Sequence, residues 1–167
     1  DYTAVLDAPE MRHDPAKFHH FMHINAAKMV GFEASRLFAS AHVVHPLRRS
    51  VMAQLFDQHA DAFVENIKYR FRDLNQFLPQ GLHNHACIMA RTAVVQSAQD
   101  HLHIKSGHGN GRPPDETWAK IRKAIQPGVK FVCVNDLPQL EILIPDLRGW
   151  LCDVVGGFPG VAQSGPR

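Results

Sequence analysis

The sequence lacks a long apolar run: no stretch approaches the roughly 18 residues that a membrane-spanning helix needs, which excludes a helical span within these residues. A signal peptide is missing as well, because the chain opens Asp1-Tyr2-Thr3 with neither a basic start nor an apolar stretch. There is no initiating Met, so the sequence reads as a fragment or processed product whose upstream residues are out of view. Cysteine is scarce. Cys87, Cys133 and Cys152 lie in apolar contexts, and an odd count of three argues against a disulfide framework and for a reducing compartment. Nor is there a strong excess of charge: a formal net charge of +2 is too mild to argue for nucleic acid as a partner. No internal repeat, coiled coil or low-complexity tract breaks the chain.

What is present is ordinary in bulk. A length of 167 residues fits one compact domain with a real core, and 45% hydrophobic with 20% charged residues is normal for a globular chain. The twelve histidines are the compositional oddity. Metal binding, phosphate binding and an unusual surface all stay open on composition alone.

Apolar spacing predicts a mixed α/β unit dominated by helices. Residues 1–14 read as an irregular lead-in, and Ala16 to Phe38 as one helix or two with Gly31 as the weak point. Pro46 is expected to open a second helix carrying Leu47, Val51 and Leu55, interrupted between Asp57 and Asp61. Pro79 with Gly81 reads as a turn before a third helix, Leu82 to Ala98. His101 to Ile104 alternates polar and apolar, as a short strand does, and Ser106 to Pro114 is a glycine-rich loop. Asp115 then caps a helix from Glu116 to Ile125, and Gln126-Pro127-Gly128 stops it. Val129 to Val134, β-branched and aromatic, is the best strand. A last helix is expected from Asp146 to Val155, followed by a tail from Gly156 to Arg167.

Three segments put charged or titratable groups at the edges of apolar elements, as sites for charged substrates do. The first is His42-Val43-Val44-His45-Pro46-Leu47-Arg48-Arg49-Ser50-Val51. Its histidines stand at the mouth of a helix, where exposed N–H groups favour anions and an imidazole can donate to phosphate or accept a proton. Capping or surface histidines, and arginines on a solvated helix face, are the simpler account. The second is Tyr69-Arg70-Phe71-Arg72, where Arg72 could grip phosphate oxygens through two parallel N–H bonds, against the alternative of an exposed basic face. The third is the strand ending in Asn135-Asp136. An amide and a carboxylate there suit Mg²⁺ or a sugar hydroxyl, and Asn-Asp before Leu-Pro is equally turn chemistry.

Two other patterns carry less. Gly107-His108-Gly109-Asn110-Gly111-Arg112 invites a phosphate-loop reading but lacks the Lys-Ser/Thr of a Walker motif. His83/His85 and His101/His103 are each spaced by two, and neither pair matches a zinc-finger spacing.

In order and spacing, the three segments resemble the C-terminal half of the Stealth family, the sugar-1-phosphate transferases of bacterial capsule synthesis. The family has a His before a Pro-Leu/Met-Arg run (here His42, then His45-Pro46-Leu47-Arg48-Arg49) and an acidic amphipathic helix (Asp57 to Glu65). It then has a Phe-Arg pair (Phe71-Arg72) and a helix ending near Gly-Arg-Ala-Val (here Arg91-Thr92-Ala93-Val94). An aromatic strand ending Cys-Leu-Asn-Asp follows (Cys133-Val134-Asn135-Asp136), and the family closes with Trp150-Leu151 and Phe158-Pro159. The similarity covers roughly residues 25–160. Three positions depart from it: Gln76 or Asn75 stands where an Asp is usual, Arg91 where Gly is common, and Val44 where many relatives have proline.

The resemblance implies a C-terminal part of a larger nucleotide-sugar transferase fold with few strands. Residues 1–24 would lead in from an N-terminal half without counterpart here, residues 25–155 would form the catalytic region, and 156–167 the tail. The implied reaction moves a sugar-1-phosphate from a UDP-sugar donor to a hydroxyl of an oligosaccharide or polysaccharide acceptor, giving a phosphodiester and UMP. His42 and Arg72 become the catalytic residues, His45, Arg48, Arg49 and Asn135 contact substrate, and Asp136 holds Mg²⁺ or Mn²⁺. An acidic residue of the N-terminal half could equally be the base. The resemblance implies a cytoplasmic enzyme without nucleic-acid partners, and allows peripheral association of the full-length protein with the inner face of the membrane. Two other classes fit the same residues: a non-catalytic, helical, histidine-rich module binding a partner or metal, and an acid–base hydrolase of phosphodiesters.

Overall fold

A computed structural model describes residues 8–32, 37–38, 40–95, 100–106 and 114–155. Contacts divide the chain into two compact units where length alone suggests one. The first comprises Asp1–Ala41 and His45–Ser97, the second His42–Val44 and Ala98–Arg167. The glycine-rich segment 107–113 and the tail 156–167 lie outside the described residues. Those described are predominantly helical with one two-stranded parallel sheet, a mixed α/β architecture. None of the helices among them is long and apolar enough to cross a membrane.

The first unit is helical. Two 3-10 turns, Pro9–His13 and Pro15–Lys17, lead into α1, Phe18–Met29; the Asp14 carboxylate accepts the Ala16 N–H at 2.9 Å at the second turn. α1 stops where Gly31 takes a positive φ of 78°, a conformation that costs glycine little. The second helix, α2, runs Arg49–Gln58 and so starts three residues later than Pro46 suggests. Arg48 is the extended N-cap (φ −77°, ψ 118°), and its N–H, which no helical carbonyl could accept this near a helix start, donates to His83 Nε2 at 3.0 Å. His59, at φ −133°, separates α2 from α3, Ala60–Asn66, within the expected Asp57–Asp61 interruption.

Pro79 and Gly81 do not make a turn. They sit in the first turn of α4, Pro79–Met89, where proline's missing N–H leaves no bond unmade. Gly81 is buried, and a Cβ there would lie 3.4 Å from Ala26 Cβ, so the glycine lets α4 approach α1 closely. α4 is shorter than the Leu82–Ala98 expected. After Met89 the chain turns through Arg91 at φ 56°, and the Cys87 carbonyl accepts both the Thr92 N–H and hydroxyl. Ala26, Leu55, Phe77 and Leu82 form the core, with Phe63 edge-on to Phe77 at 5.0 Å.

The second unit is a strand–helix–strand unit followed by two helices. Its elements are β1, His101–Ile104; α5, Pro114–Arg122; β2, Phe131–Val134; α6, Leu137–Leu143; and α7, Leu147–Val155. The acidic Asp115 and Glu116 fall in the first turn of α5 and Lys120 and Arg122 in its last, which suits the helix dipole. The expected continuation to Ile125 is a 3-10 turn, Lys123–Ile125, and Gly128 turns the chain at φ 95°. α6 was not foreseen; Pro138 lies in its first turn. Arg148 of α7 grips Glu141 of α6 through two N–H bonds, which holds the Glu141 carboxyl below its usual range.

The strands pair in parallel, His101 opposite Phe131 through Ile104 opposite Val134. A two-stranded sheet is not stable alone. Here Ile104 and Val134 point one face into a core of Ile121, Leu140, Ile144, Leu147 and Leu151.

Candidate functional site: one face of the short sheet

Side chains alternate along a strand, so burial of Ile104 and Val134 on one face sends His103 and Cys133 to the other. These two are direct register partners. The segment His42–Val44 belongs to this same unit, and the exposed His42 ring stacks on His103 with centroids 3.9 Å apart and planes 23° from parallel. A ring nitrogen of His42, one of His103 and the Cys133 sulfur lie within 4.8 Å of one another. His103 Nε2 is buried and has no hydrogen-bond partner. Burial first, then the charges of His42, Lys120, Lys105 and His101, push the His103 imidazole below its ordinary pKa, so the ring stays neutral.

At the carboxyl end of β2 the ladder continues one step, with the Asn135 N–H donating to the Ile104 carbonyl at 2.8 Å. The Cys133 thiol donates to Asn135 Oδ1 at 3.3 Å, which ties the Asn135 side chain to the His42–His103–Cys133 group. Asp136 takes the left-handed conformation (φ 57°) ahead of α6, and its Oδ2 accepts the buried Ser106 hydroxyl at 3.3 Å. The turn reading of Asn135-Asp136 fits the left-handed Asp136, and the two side chains bond different partners, Asn135 with Cys133 and Asp136 with Ser106. Oxygen donors of this kind suit a hard cation rather than a soft one. The one group of three or more ligating side chains among the described residues is the His42–His103–Cys133 set, whose nitrogen and sulfur donors do not suit a hard cation. His42 and the Asn135 side chain are thus brought to the His103–Cys133 face, while Asp136 bonds Ser106. His103 belongs to the His101/His103 pair already marked by its spacing, and Cys133 as a ligand is what the sequence pattern misses. The alternation in His101–Ile104 was visible, but its pairing partner was not.

Arg72, His45, Arg48 and Arg49 belong to the first unit. Arg72 is exposed in the segment joining α3 to α4 and forms no ion pair with a described residue. Other side chains hold that segment. Asn25 Nδ2 donates to the carbonyls of Leu74 and Gln76 at 2.8 Å each, and Asn66 Oδ1 accepts the Phe77 N–H at 2.7 Å. Gln76 donates to the Asn66 carbonyl and accepts the Asp73 N–H, both at 2.8 Å. Its amide works for the loop. Neighbouring Arg70 lies over the Phe71 ring at 5.2 Å. Arg48 and Arg49 are exposed at the start of α2, and His45 is half-buried three residues before it.

His83 and His85, separated by two residues on a helix, do not share a side. His83 Nε2 accepts the Arg48 N–H, while His85, fully buried, bonds the Gly81 carbonyl through Nδ1 at 2.7 Å and accepts the Phe38 N–H at Nε2. They are fixed as backbone partners rather than as a metal pair. Burial pushes His85 below its ordinary pKa, partly offset by the Gly81 carbonyl. A histidine held neutral in the folded chain takes up a proton more readily when unfolded, so acid favours unfolding. Stability from His85 and His103 is complete above the ordinary value of 6.5 and lost as pH falls below it. Denaturation midpoints measured from about pH 7.5 to about pH 5 should therefore fall with pH; a flat profile would contradict the buried neutral state.

A separate cleft of about 430 Å³ opens among α1, α2 and α4, lined by Val51, Leu55, Ala86 and Cys87 with Gln54 and His59 at its polar edge. None of the residues named from the three sequence motifs for a catalytic or binding role lines it. Compared with known protein families, characterised proteins and solved structures, the chain matches none.

Proposed function

We propose that this chain supplies the C-terminal part of a cytoplasmic transferase that moves a sugar-1-phosphate from a UDP-sugar to a glycan hydroxyl. The resemblance of the ordered motifs to the Stealth family supports this. The observation that carries it is that His42 of the first motif and the Asn135 side chain of the third, far apart in sequence, both join the His103–Cys133 face of one short sheet, with Asp136 the next residue along the chain.

In the proposed reaction the acceptor oxygen attacks the phosphorus bearing the sugar. The bond from that phosphorus to the oxygen bridging to UMP breaks, and UMP departs with the bond's electron pair. The acceptor's proton goes to a base, for which His42 is the candidate in this chain because a neutral imidazole nitrogen accepts a proton. An acidic residue from the preceding half of such an enzyme is the other candidate. Charge on the non-bridging oxygens needs fixed positive groups, and Arg72 with its forked donors is assigned that task on the resemblance. His45, Arg48 and Arg49 are assigned to substrate phosphate or sugar, as is the Asn135 amide. Asp136 would hold Mg²⁺ or Mn²⁺, which would neutralise phosphate charge when bound.

Calorimetric titration of UDP-GlcNAc and of UMP, with and without Mg²⁺, tests the reading on this chain and on a version extended by its upstream coding sequence. Binding by the extended protein, strengthened by Mg²⁺, is the expected result. Absence of binding by both would remove the nucleotide-sugar reading.

A further inference from the structure

We infer that His42, His103 and Cys133 form a binding site for a zinc-class divalent cation, with three protein ligands and a fourth position open to water or a substrate oxygen. The inference stands apart from the transferase reading, which calls for a hard ion at Asp136.

Four observations support it. The donor set is two imidazoles and a thiol, which zinc prefers and magnesium does not. The three donor atoms already lie within 4.8 Å of one another. Zinc bonds of about 2.0–2.1 Å to nitrogen and 2.3 Å to sulfur put tetrahedral ligands about 3.3–3.7 Å apart, so closing the site asks for a small rotation, which the exposed His42 can supply. Two of the ligands are pre-placed by the backbone, because His103 and Cys133 are register partners on a sheet whose other face is locked into the core. Finally, His103 Nε2 is buried without a hydrogen-bond partner, a cost that the surrounding fold leaves unmet and that binding chemistry at this ring can relieve.

The environment is compatible with a metal. The charges of Lys105 and Lys120 near His103 oppose a bound cation, and the Cys133 thiolate formed on binding offsets part of that repulsion. The thiol loses its proton on binding, so its bond to Asn135 Oδ1 is exchanged for the bond to the metal. Asn135 is then released on the same sheet edge. A filled site also engages the His42 lone pair, so in the proposed transferase zinc occupancy and proton acceptance by His42 exclude each other.

The test uses the full 167-residue chain. Zn²⁺ is titrated by calorimetry, and Co²⁺, a zinc surrogate, is added to read thiolate coordination as a charge-transfer absorption in the near ultraviolet. One equivalent per chain is expected, with that absorption present and Mg²⁺ in excess unable to displace the ion. Cys133→Ser should abolish the absorption, whereas Cys87→Ser and Cys152→Ser keep it. His103→Gln and His42→Ala should each weaken zinc by at least the roughly 10–100-fold that loss of an outer partner alone costs. Circular dichroism of each variant separates a lost ligand from a lost fold, and His42→Ala, on an exposed side chain, serves if His103→Gln unfolds. No stoichiometric zinc, or zinc bound equally well by Cys133→Ser, overturns the site.

Discussion

Replacing Arg72 by Ala in the full-length protein is expected to lower turnover by about 10²–10³-fold while leaving stability within about 0.5 kcal/mol of the parent. The two halves of that expectation have different sources. The kinetic loss follows from the proposed role: a guanidinium fixed beside a phosphorus that gathers negative charge acts mostly in the transition state, so kcat should fall more than KM rises. Arg72→Lys should recover little, since an ammonium retains the charge but not the planar fork. The structural silence follows from the loop. Asn25, Asn66 and Gln76 hold the α3–α4 connection, and Arg72 adds no ion pair among the described residues. His42→Ala should behave similarly, with a loss of about 10²–10⁴-fold expected for removal of a proton acceptor. Near-parental turnover in both variants, measured with saturating UDP-sugar and acceptor, would sink the assignment.

The second large effect concerns stability. Ile104→Ala should cost about 2–5 kcal/mol, a large share of the roughly 5–15 kcal/mol that holds a typical domain folded. Ile104 is 0% exposed and closes the sheet onto Ile121, Leu140 and Ile144, so shortening it leaves a void that four short elements share. It also alternates with His103, which ties the sheet face carrying the ligating groups to the face carrying the core. Val154→Ala, on an exposed position near the end of α7, should stay within about 0.5 kcal/mol. Urea midpoints of the two variants provide the comparison. Equal small losses would mean that the second unit is not held by this core.

The sequence made the local elements legible where a single signal dominates. β2 stands out because Val129 to Val134 is β-branched and aromatic, and Phe131–Val134 forms the strand. The last helix follows from Leu147, Leu151 and Val154 at helical spacing. Proline was harder, because the same residue opens a helix or marks a turn and the difference lies in the backbone around it. Pro46 precedes α2 without joining it, because Arg48 is extended and caps the helix in its place. Pro79 opens α4 despite the nearby Gly81, whose lack of a side chain is used for helix contact. Leu137-Pro138 carries the same start signal for α6, and directly after Asn135-Asp136 it suits a turn equally well.

The candidate site was legible only in part, for a physical reason. His42 and Asn135-Asp136 carry chemistry that a pattern can show. Parallel strands joined through a helix, however, are paired by tertiary packing rather than by a hairpin turn, so no local signal aligns His103 with Cys133. Within the sequence, Cys133 reads as a residue in an apolar context and His103 as half of the His101/His103 pair, whose spacing matches no zinc finger. Only the register makes them neighbours of each other and of His42.

The most direct test of the transferase account is UMP release from UDP-GlcNAc by the full-length protein with Mg²⁺, followed with and without a glycan acceptor. The account predicts UMP formation that requires the acceptor, in step with a new phosphodiester on it, and that disappears in the Arg72→Ala variant. UMP released equally fast without acceptor would contradict it and make the protein a hydrolase.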